Sequence, residues 1–168
     1  MLCVTLRVMD AQKRKICVLG TNHLYQDEVI RKGYFLEVRD ILSTHQVDFV
    51  GEEYSKSTPS DSFAKQIVDK EYPATNWKNV DLSKDERGKI PDKNPTGIGP
   101  LQDLDFQIAR EQAWVERVSA ETKRSALMIC GSAHTFGVSL RFRSAGFDVE
   151  VRVFLDENDY QAIRERIE

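Results

Sequence analysis

Two short segments of this chain end in the same pattern, a glycine followed three positions later by a histidine. They are KICVLGTNH at residues 15–23, which ends at His23, and ALMICGSAH at residues 126–134, which ends at His134. Neutral imidazole can accept a proton from water or bind a divalent metal ion. One histidine after a strand is usually only a satisfied polar residue, whereas two in matched positions favour a shared reactive site.

A carboxylate could complete this site. The segment VDFVGEEY, at residues 47–54, is a short apolar run that ends in Glu52 and Glu53. Because side chains alternate along a strand, only one of the two acids can point toward the histidines. We favour Glu53, which lies farther beyond the apolar part, and keep Glu52 as the second choice.

These residue types support two kinds of chemistry. Two imidazoles and one carboxylate are a common ligand set for a catalytic divalent metal that keeps one position open for water. The same groups without a metal could act as a general base and its orienting partner. The candidate set is His23, Glu53 and His134 in both cases, and the pattern alone leaves the two open.

Each of these residues follows a run that predicts a buried strand. Continuous apolar runs of this length are typical of parallel strands covered by helices on both faces. Glycine permits a sharp turn and a close approach where such a strand stops. The carboxyl ends of parallel strands share one edge of the sheet, where open α/β sheets place their ligands. The candidate residues are therefore predicted to meet at that edge.

The alternation of strand and helix predicts one α/β domain over residues 1–168, with a mostly parallel sheet flanked by helices on both faces. An extra antiparallel strand at residues 2–8 is one interpretation of the N-terminal segment. The polar residues 83–100 predict a loop, because long loops of this kind are usually lids, binding loops or mobile segments. Helices are predicted at about 27–44, from Ser60 or Asp61 to about Tyr72, at 101–122, 136–144 and 158–167, and further strands at 80–82 and 149–155.

Composition excludes several classes of partner. The formal charge is −3 and the two signs are mixed along the chain, so neither nucleic acid nor an anionic membrane is expected as a partner. Cys3, Cys17 and Cys130 lie in apolar runs without a CxxC pair, which is typical of buried thiols in a reducing compartment. No secretory signal or membrane-spanning segment is recognisable, so we expect a soluble, cytoplasmic protein. The sequence does not indicate its oligomeric state.

Other charged residues have simpler interpretations. Asp81, at the tip of the predicted strand 80–82, could lie at the same edge as the histidines, but it is interpreted as a turn residue and not as a ligand. His45, near the end of a predicted helix, is interpreted as structural. Arg110 and Glu111 lie in the middle of a predicted helix, where surface pairing between residues four apart is the default explanation.

Four motifs together resemble a known superfamily. They are GTNH with His23, the strand ending in Glu53, Arg110 followed by Glu111 in AREQAWVERV, and GSAH with His134. In this order they are similar to the superfamily that contains erythromycin esterases, TraB-type and Tiki-type proteases and ChaN-type haem-binding proteins. The resemblance spans about residues 15–153.

The resemblance implies a protein of the α/β class that hydrolyses an ester or amide bond in a small molecule or a peptide. It implies that His23, Glu53 and His134 are the catalytic or metal-contacting set, with Mn, Co or Zn as the metal. Arg110 would hold the acid in place or meet an anionic transition state. The alternative is a non-catalytic module of the same fold that binds a metal or, less favoured, haem. The chain lacks the helical insertions that form the substrate pocket of the esterases, so the substrate is not implied.

Overall fold

The computed structural model describes residues 13–26, 32–54, 62–90 and 104–155. The strands in these ranges are β1 (Lys15–Thr21), β2 (Phe49–Glu52), β3 (Asn76–Asn79), β4 (Ser125–Gly131) and β5 (Asp148–Val153). The α-helices are α1 (Lys32–His45), α2 (Phe63–Glu71), α3 (Lys84–Arg87), α4 (Leu104–Glu121) and α5 (Thr135–Ser144). The predicted α/β class is confirmed.

All five strands form one sheet in the order β3-β2-β4-β1-β5, and every pairing is parallel. The register sets Thr21 of β1 opposite Gly131 of β4, and Glu52 of β2 opposite Ile129 of β4. All five strands therefore have their carboxyl ends at one edge of the sheet, and the two Gly-x-x-His segments leave the sheet side by side.

Helices cover both faces of this sheet, because successive side chains of β1 and β4 point to opposite sides. Cys17 and Leu19 of β1 pack with α1 and α2 on one face, whereas Ile16 and Val18 pack with α4 and α5 on the other. Every residue of β4 is buried, since it lies between two neighbouring strands and between two helical layers. This explains why the apolar runs of β1 and β4 are continuous.

Two predicted boundaries are wrong. A strand was predicted at 80–82, but β3 is the polar segment Asn76–Asn79 just before it. An edge strand can expose its side chains, so it needs no apolar pattern. The apolar residue that suggested the strand, Val80, is buried just beyond its end. Helix α2 is capped by Ser62, whose hydroxyl accepts a hydrogen bond from the Lys65 N–H, and not by Ser60 or Asp61.

The predicted loop at 83–100 begins with a helix. Ser83 caps α3, since its hydroxyl accepts from the Glu86 N–H at 3.2 Å while the Glu86 carboxylate accepts from the Ser83 N–H at 2.7 Å. This reciprocal pair is the capping box that the spacing of Ser83 and Glu86 allows. The part of the predicted loop at 91–100 lies outside the described residues.

Several other predictions also fall outside the described residues. They are the strand at 2–8 with Cys3, the start of the helix predicted from residue 27, and the closing helix at 158–167. Among the described residues, no helix is both long enough and apolar enough to cross a membrane.

Candidate functional site

The two Gly-x-x-His segments form interlocking corners at the carboxyl edge of the sheet. β1 leads into a 3-10 turn at His23–Gln26, and β4 leads into a 3-10 turn at Ser132–His134 that continues into α5. A Cβ atom added at Gly131 would lie 2.8 Å from His23 Nε2, and one added at Gly20 would overlap the Thr135 hydroxyl. Each glycine thus leaves room for a side chain of the other corner.

The ring of His23 is oriented by Gln26. The Gln26 Nε2 donates to the backbone carbonyl of Glu53 at 3.0 Å, so its Oε1 must be the atom that lies 3.0 Å from His23 Nδ1. Because a carbonyl oxygen only accepts, His23 Nδ1 carries the proton. The neutral ring therefore presents the lone pair of Nε2, which lies 3.7 Å from Glu53 Oε2. The His23 side chain as a whole is 44% exposed.

Glu53 is the acid that lies beside His23. It is only 3% exposed, and Arg110 Nη2 donates to its Oε1 at 2.6 Å. The Gly131 N–H donates to its Oε2 at 2.9 Å. A buried carboxylate needs partners of this kind to offset the loss of hydration. Oε2 is consequently held between the second corner and the His23 ring.

Arg110 is buried between two acids. Besides Glu53, its Nη2 and Nε donate to Asp81 Oδ1 at 3.0 and 3.2 Å. Asp81, two residues beyond β3, also pairs with Arg87 and accepts from Trp114 Nε1 at 3.2 Å. The expectation of surface pairing for Arg110 is wrong. Asp81 lies in a bend, as a turn residue would, and it also lies at the carboxyl edge, where it forms a buried ion pair with Arg110.

His134 has its own carboxylate. Its Nδ1 lies 3.0 Å from Glu111 Oε1, so Nδ1–H donates to Glu111 and Nε2 is the second nitrogen of the ring. Arg141 Nε donates to Glu111 Oε2 at 3.2 Å, and Gly137 leaves space that a Cβ would take from this carboxylate. Glu111 is buried, so its expected surface role is also wrong.

Trp114 connects the two halves of the site. Its ring lies edge-on to the His134 ring, with 5.0 Å between centroids, and Arg110 Cζ lies 4.9 Å from the same indole. Contacts therefore run without a break from His23 through Glu53, Arg110 and Trp114 to His134. The Trp114 side chain is itself fully buried.

Two residues weighed in the sequence lie apart from this network. Glu52, the second-choice acid, points to the opposite face of β2, where Ser62 and Trp77 donate to its Oε2. His45 lies at the end of α1, with its Nε2 3.4 Å from Glu150 Oε2. The alternation of side chains predicted for residues 47–54 accounts for the separation of Glu52 from Glu53.

The buried thiol next to the site is not a nucleophile. Burial, together with the nearby negative charge of Glu53, raises the pKa of Cys130 far above its ordinary value. Burial likewise raises the pKa of Cys17 to about 12. Both thiols stay protonated at neutral pH, and the thiolate is the reactive form.

The predicted metal ligands were compared with the arrangement of these groups. His23 Nε2 and Glu53 Oε2 are close enough to contact one ion, because zinc bonds to nitrogen and oxygen are each about 2.1 Å long. Among the described residues, however, no three His, Cys, Asp or Glu side chains are placed to hold a metal ion together. The arrangement does not fit a three-ligand site made of His23, Glu53 and His134.

Comparison with models of known protein families and with curated proteins gave no match to this sequence. The resemblance to the erythromycin esterase and ChaN superfamily therefore stays a prediction based on its motifs. The function has to be argued from the geometry of the site.

Proposed function

We propose that this protein hydrolyses an ester or amide bond, and that His23 and Glu53 activate the attacking water. One observation carries the proposal: His23 Nε2 faces Glu53 Oε2 at 3.7 Å while Nδ1–H is held by Gln26. Two acceptors at this distance do not bond to each other. A water molecule that donates one proton to each of them would be bound by both and oriented for attack.

In this proposal His23 is the general base. Its Nε2 takes a proton from the water as the oxygen forms a bond to the carbonyl carbon. The bond from that carbon to the leaving oxygen or nitrogen then breaks, and the leaving group takes a proton. The sum is one water consumed and one acid and one alcohol or amine released. Glu53 stabilises the imidazolium that exists between the two proton transfers.

Arg110 acts as a positioning residue. Its guanidinium is buried, and Nη2, Nε and Nη1 have Glu53, Asp81 and Gln107 as their respective acceptors. A group so fully engaged is better suited to fix the Glu53 carboxylate than to meet a substrate. Of the two roles that the resemblance implies for Arg110, the geometry favours holding the acid.

His134 acts from the neighbouring corner. Glu111 accepts its Nδ1–H, which leaves Nε2 as the atom that exchanges a proton with the leaving group. A carboxylate behind an imidazole stabilises the protonated ring and fixes its orientation. The two histidines would therefore divide the base and acid steps between them.

The proposed substrate is a small molecule or a peptide, and the proposed location is the cytoplasm. The rim beside the site is open, because His23, Ser132 and Ala133 are exposed. The buried, unpaired thiols of Cys17 and Cys130 are suited to a reducing compartment.

The test is hydrolysis of nitrophenyl esters and a peptide library by the parent protein and by His23→Asn and Glu53→Gln. His23 is half-exposed, so His23→Asn is expected to fold normally and to lose about 100-fold to 10,000-fold in rate. Glu116→Gln, an exposed change on α4, is the matched control and should keep the parent rate. Rates for His23→Asn and Glu53→Gln equal to the parent rate would disprove the proposal, as would a folded parent that hydrolyses none of these substrates.

A further inference from the structure

The strand β5 lies at one side of the sheet, and among the described residues it pairs only with β1. Its side chains are mostly exposed, including two apolar ones, Val151 at 41% and Val153 at 50%. An edge strand presents a row of backbone donors and acceptors that can pair with another strand. The question is which strand this edge fits.

The backbone groups of β5 alternate between β1 and the outer side. Asp148, at the start of β5, and Phe154, just past its end, donate their N–H groups to carbonyls of the β1 segment at 2.9 and 2.8 Å. In a parallel pair, every second residue of a strand bonds to the same neighbour. Val149, Val151 and Val153 therefore direct their N–H and C=O groups away from β1.

The side chains of β5 are complementary to those of the same strand reversed. The segment VEVRV, residues 149–153, has its valines on the face of α4 and α5, while Glu150 and Arg152 lie on the face of α1. When two copies run antiparallel about a two-fold axis at Val151, each Glu150 lies opposite the Arg152 of the other copy. Opposite charges at such positions stabilise the pairing of strands.

The backbone selects the same register. An axis at Val151 sets Val149 opposite Val153, so residues with outward N–H and C=O groups meet and exchange hydrogen bonds. Glu150 and Arg152 then occupy the pairs without hydrogen bonds, in which the Cα atoms are only about 4.5 Å apart. An axis one residue earlier or later would set Glu150 opposite Glu150, or Arg152 opposite Arg152. Of these three registers, only the one centred on Val151 avoids like charges.

Arg152 keeps a donor for this contact. Its Nε donates to Glu150 of the same chain at 2.6 Å, and its Nη1 donates to Glu37 and Asp40 of α1 at 3.0 and 2.7 Å. Its Nη2 has no acceptor within the described part of the chain. Because its own chain already holds the guanidinium, little side-chain freedom is lost when Nη2 donates to a second copy.

We propose that two copies of this chain pair through β5 and join their five-stranded sheets into one. A two-fold axis makes the contact self-complementary, so one strand supplies both sides of it. The valines of both copies form one apolar stripe, and the candidate sites of the two copies face opposite directions because the strands are antiparallel. The proposal does not depend on the proposed hydrolysis, since none of its residues belongs to that site.

The test is sedimentation of the full chain from micromolar to millimolar concentration, together with hydrogen exchange of single amides. We expect a discrete species of two copies at high concentration. The amides of Val149, Val151 and Val153 should exchange fast in dilute protein and become protected as the dimer forms. The amides of Glu150 and Arg152 point toward β1, so they should be protected throughout.

Two variants weaken the contact in different ways. Val151→Pro removes an outward N–H that β1 does not use, and proline is tolerated at such edge positions. Val151→Lys sets two cations opposite each other at the axis. Each is expected to raise the dissociation constant about tenfold or more. Leu140→Lys is the matched control, since it places the same charge at a 44% exposed apolar residue of α5 and should associate as the parent does.

Four results would overturn the inference. One is a monomer at every concentration. Another is a dimer whose outward valine amides stay unprotected, because the copies would then meet elsewhere. A third is protection of these amides that does not depend on concentration, which would show that the same chain covers the edge. The last is weakening by Leu140→Lys equal to that by Val151→Lys.

Discussion

At the scale of single residues, the reactivity of the site depends on how its imidazoles are oriented. Gln26 has no acid-base chemistry of its own, yet it fixes which nitrogen of His23 carries the proton. Glu111 does the same for His134 through a carboxylate. The two histidines thus share a sequence motif, but the group that accepts the Nδ1–H is a neutral amide for His23 and a carboxylate for His134.

The role of Gln26 can be tested directly by Gln26→Leu, which keeps the side-chain volume but removes both hydrogen bonds. We expect the parent protein to show His23 as the Nδ1–H tautomer and the variant to lose that preference. Long-range proton–nitrogen correlation spectra measure the tautomer independently of activity, and the ring of His45 serves as an internal reference. An unchanged His23 tautomer in Gln26→Leu would contradict the orientation argued here.

At the scale of secondary-structure elements, the ends of strands and helices determine where charged groups lie. The short helix α3 follows β3 directly, and it supplies Arg87 to Asp81 and Glu86 to Arg117 of α4. Its capping box therefore has a tertiary consequence, because it holds the segment that supports the buried Asp81–Arg110 pair from outside. The hydrogen bonds from Ser83, and then Arg117, lower the pKa of Glu86.

This lowered pKa predicts a pH dependence of stability. A carboxyl group whose pKa is lower in the folded state stabilises the fold above its ordinary pKa of about 4.3, and this contribution is lost as pH falls through the lower, folded value. We expect Glu86→Gln to lower the melting temperature at pH 7 and to differ less from the parent at pH 3. Asp85→Asn, in the same turn but outside the capping box, is the control. A difference for Glu86→Gln that is equal at both pH values would contradict the prediction.

At the scale of the whole molecule, the parallel sheet separates two chemically different edges. The carboxyl edge holds buried ion pairs and two oriented imidazoles, whereas the exposed basic residues Lys13, Lys15, Lys123 and Arg124 lie at the amino edge. The carboxyl edge is also where the metal prediction and the geometry diverge. The motifs predict three ligands for Mn, Co or Zn, but the described residues bring only His23 and Glu53 within reach of one ion.

Melting temperatures measured with added Mn, Co or Zn distinguish the predicted three-ligand metal site from the arrangement in the structure. Ligands that bind only the folded state raise the melting temperature, and at a given concentration the rise increases with the logarithm of their affinity. The geometry predicts no metal site that depends on both His23 and His134. We therefore expect no metal-induced rise in melting temperature that disappears in both His23→Ala and His134→Ala. Ester hydrolysis should continue after chelation of the metal. A rise that disappears in both variants would instead restore the three-ligand metal site, and His45→Ala provides the matched histidine control.

The sequence by itself determined the features that depend on neighbours along the chain. Continuous apolar runs predicted parallel strands, and alternation along residues 47–54 placed Glu52 and Glu53 on opposite faces. The two Gly-x-x-His segments are also patterns of neighbouring residues, so the sequence alone was enough to recognise them. Local patterns did not identify β3, because an edge strand needs no apolar pattern, or the helix that follows Ser83, because its capping box lies within a polar segment.

Only the tertiary structure decided how the charged side chains pair. Arg110 contacts Glu53 at a sequence separation of 57 and Asp81 at a separation of 29, and Glu111 contacts His134 at a separation of 23. Each of these side chains belongs to a charged type that usually lies on the surface. A buried charge is tolerated only when a specific partner lies opposite it. That partner is supplied by the order of the strands and the packing of α4 and α5, which no local pattern in the sequence encodes.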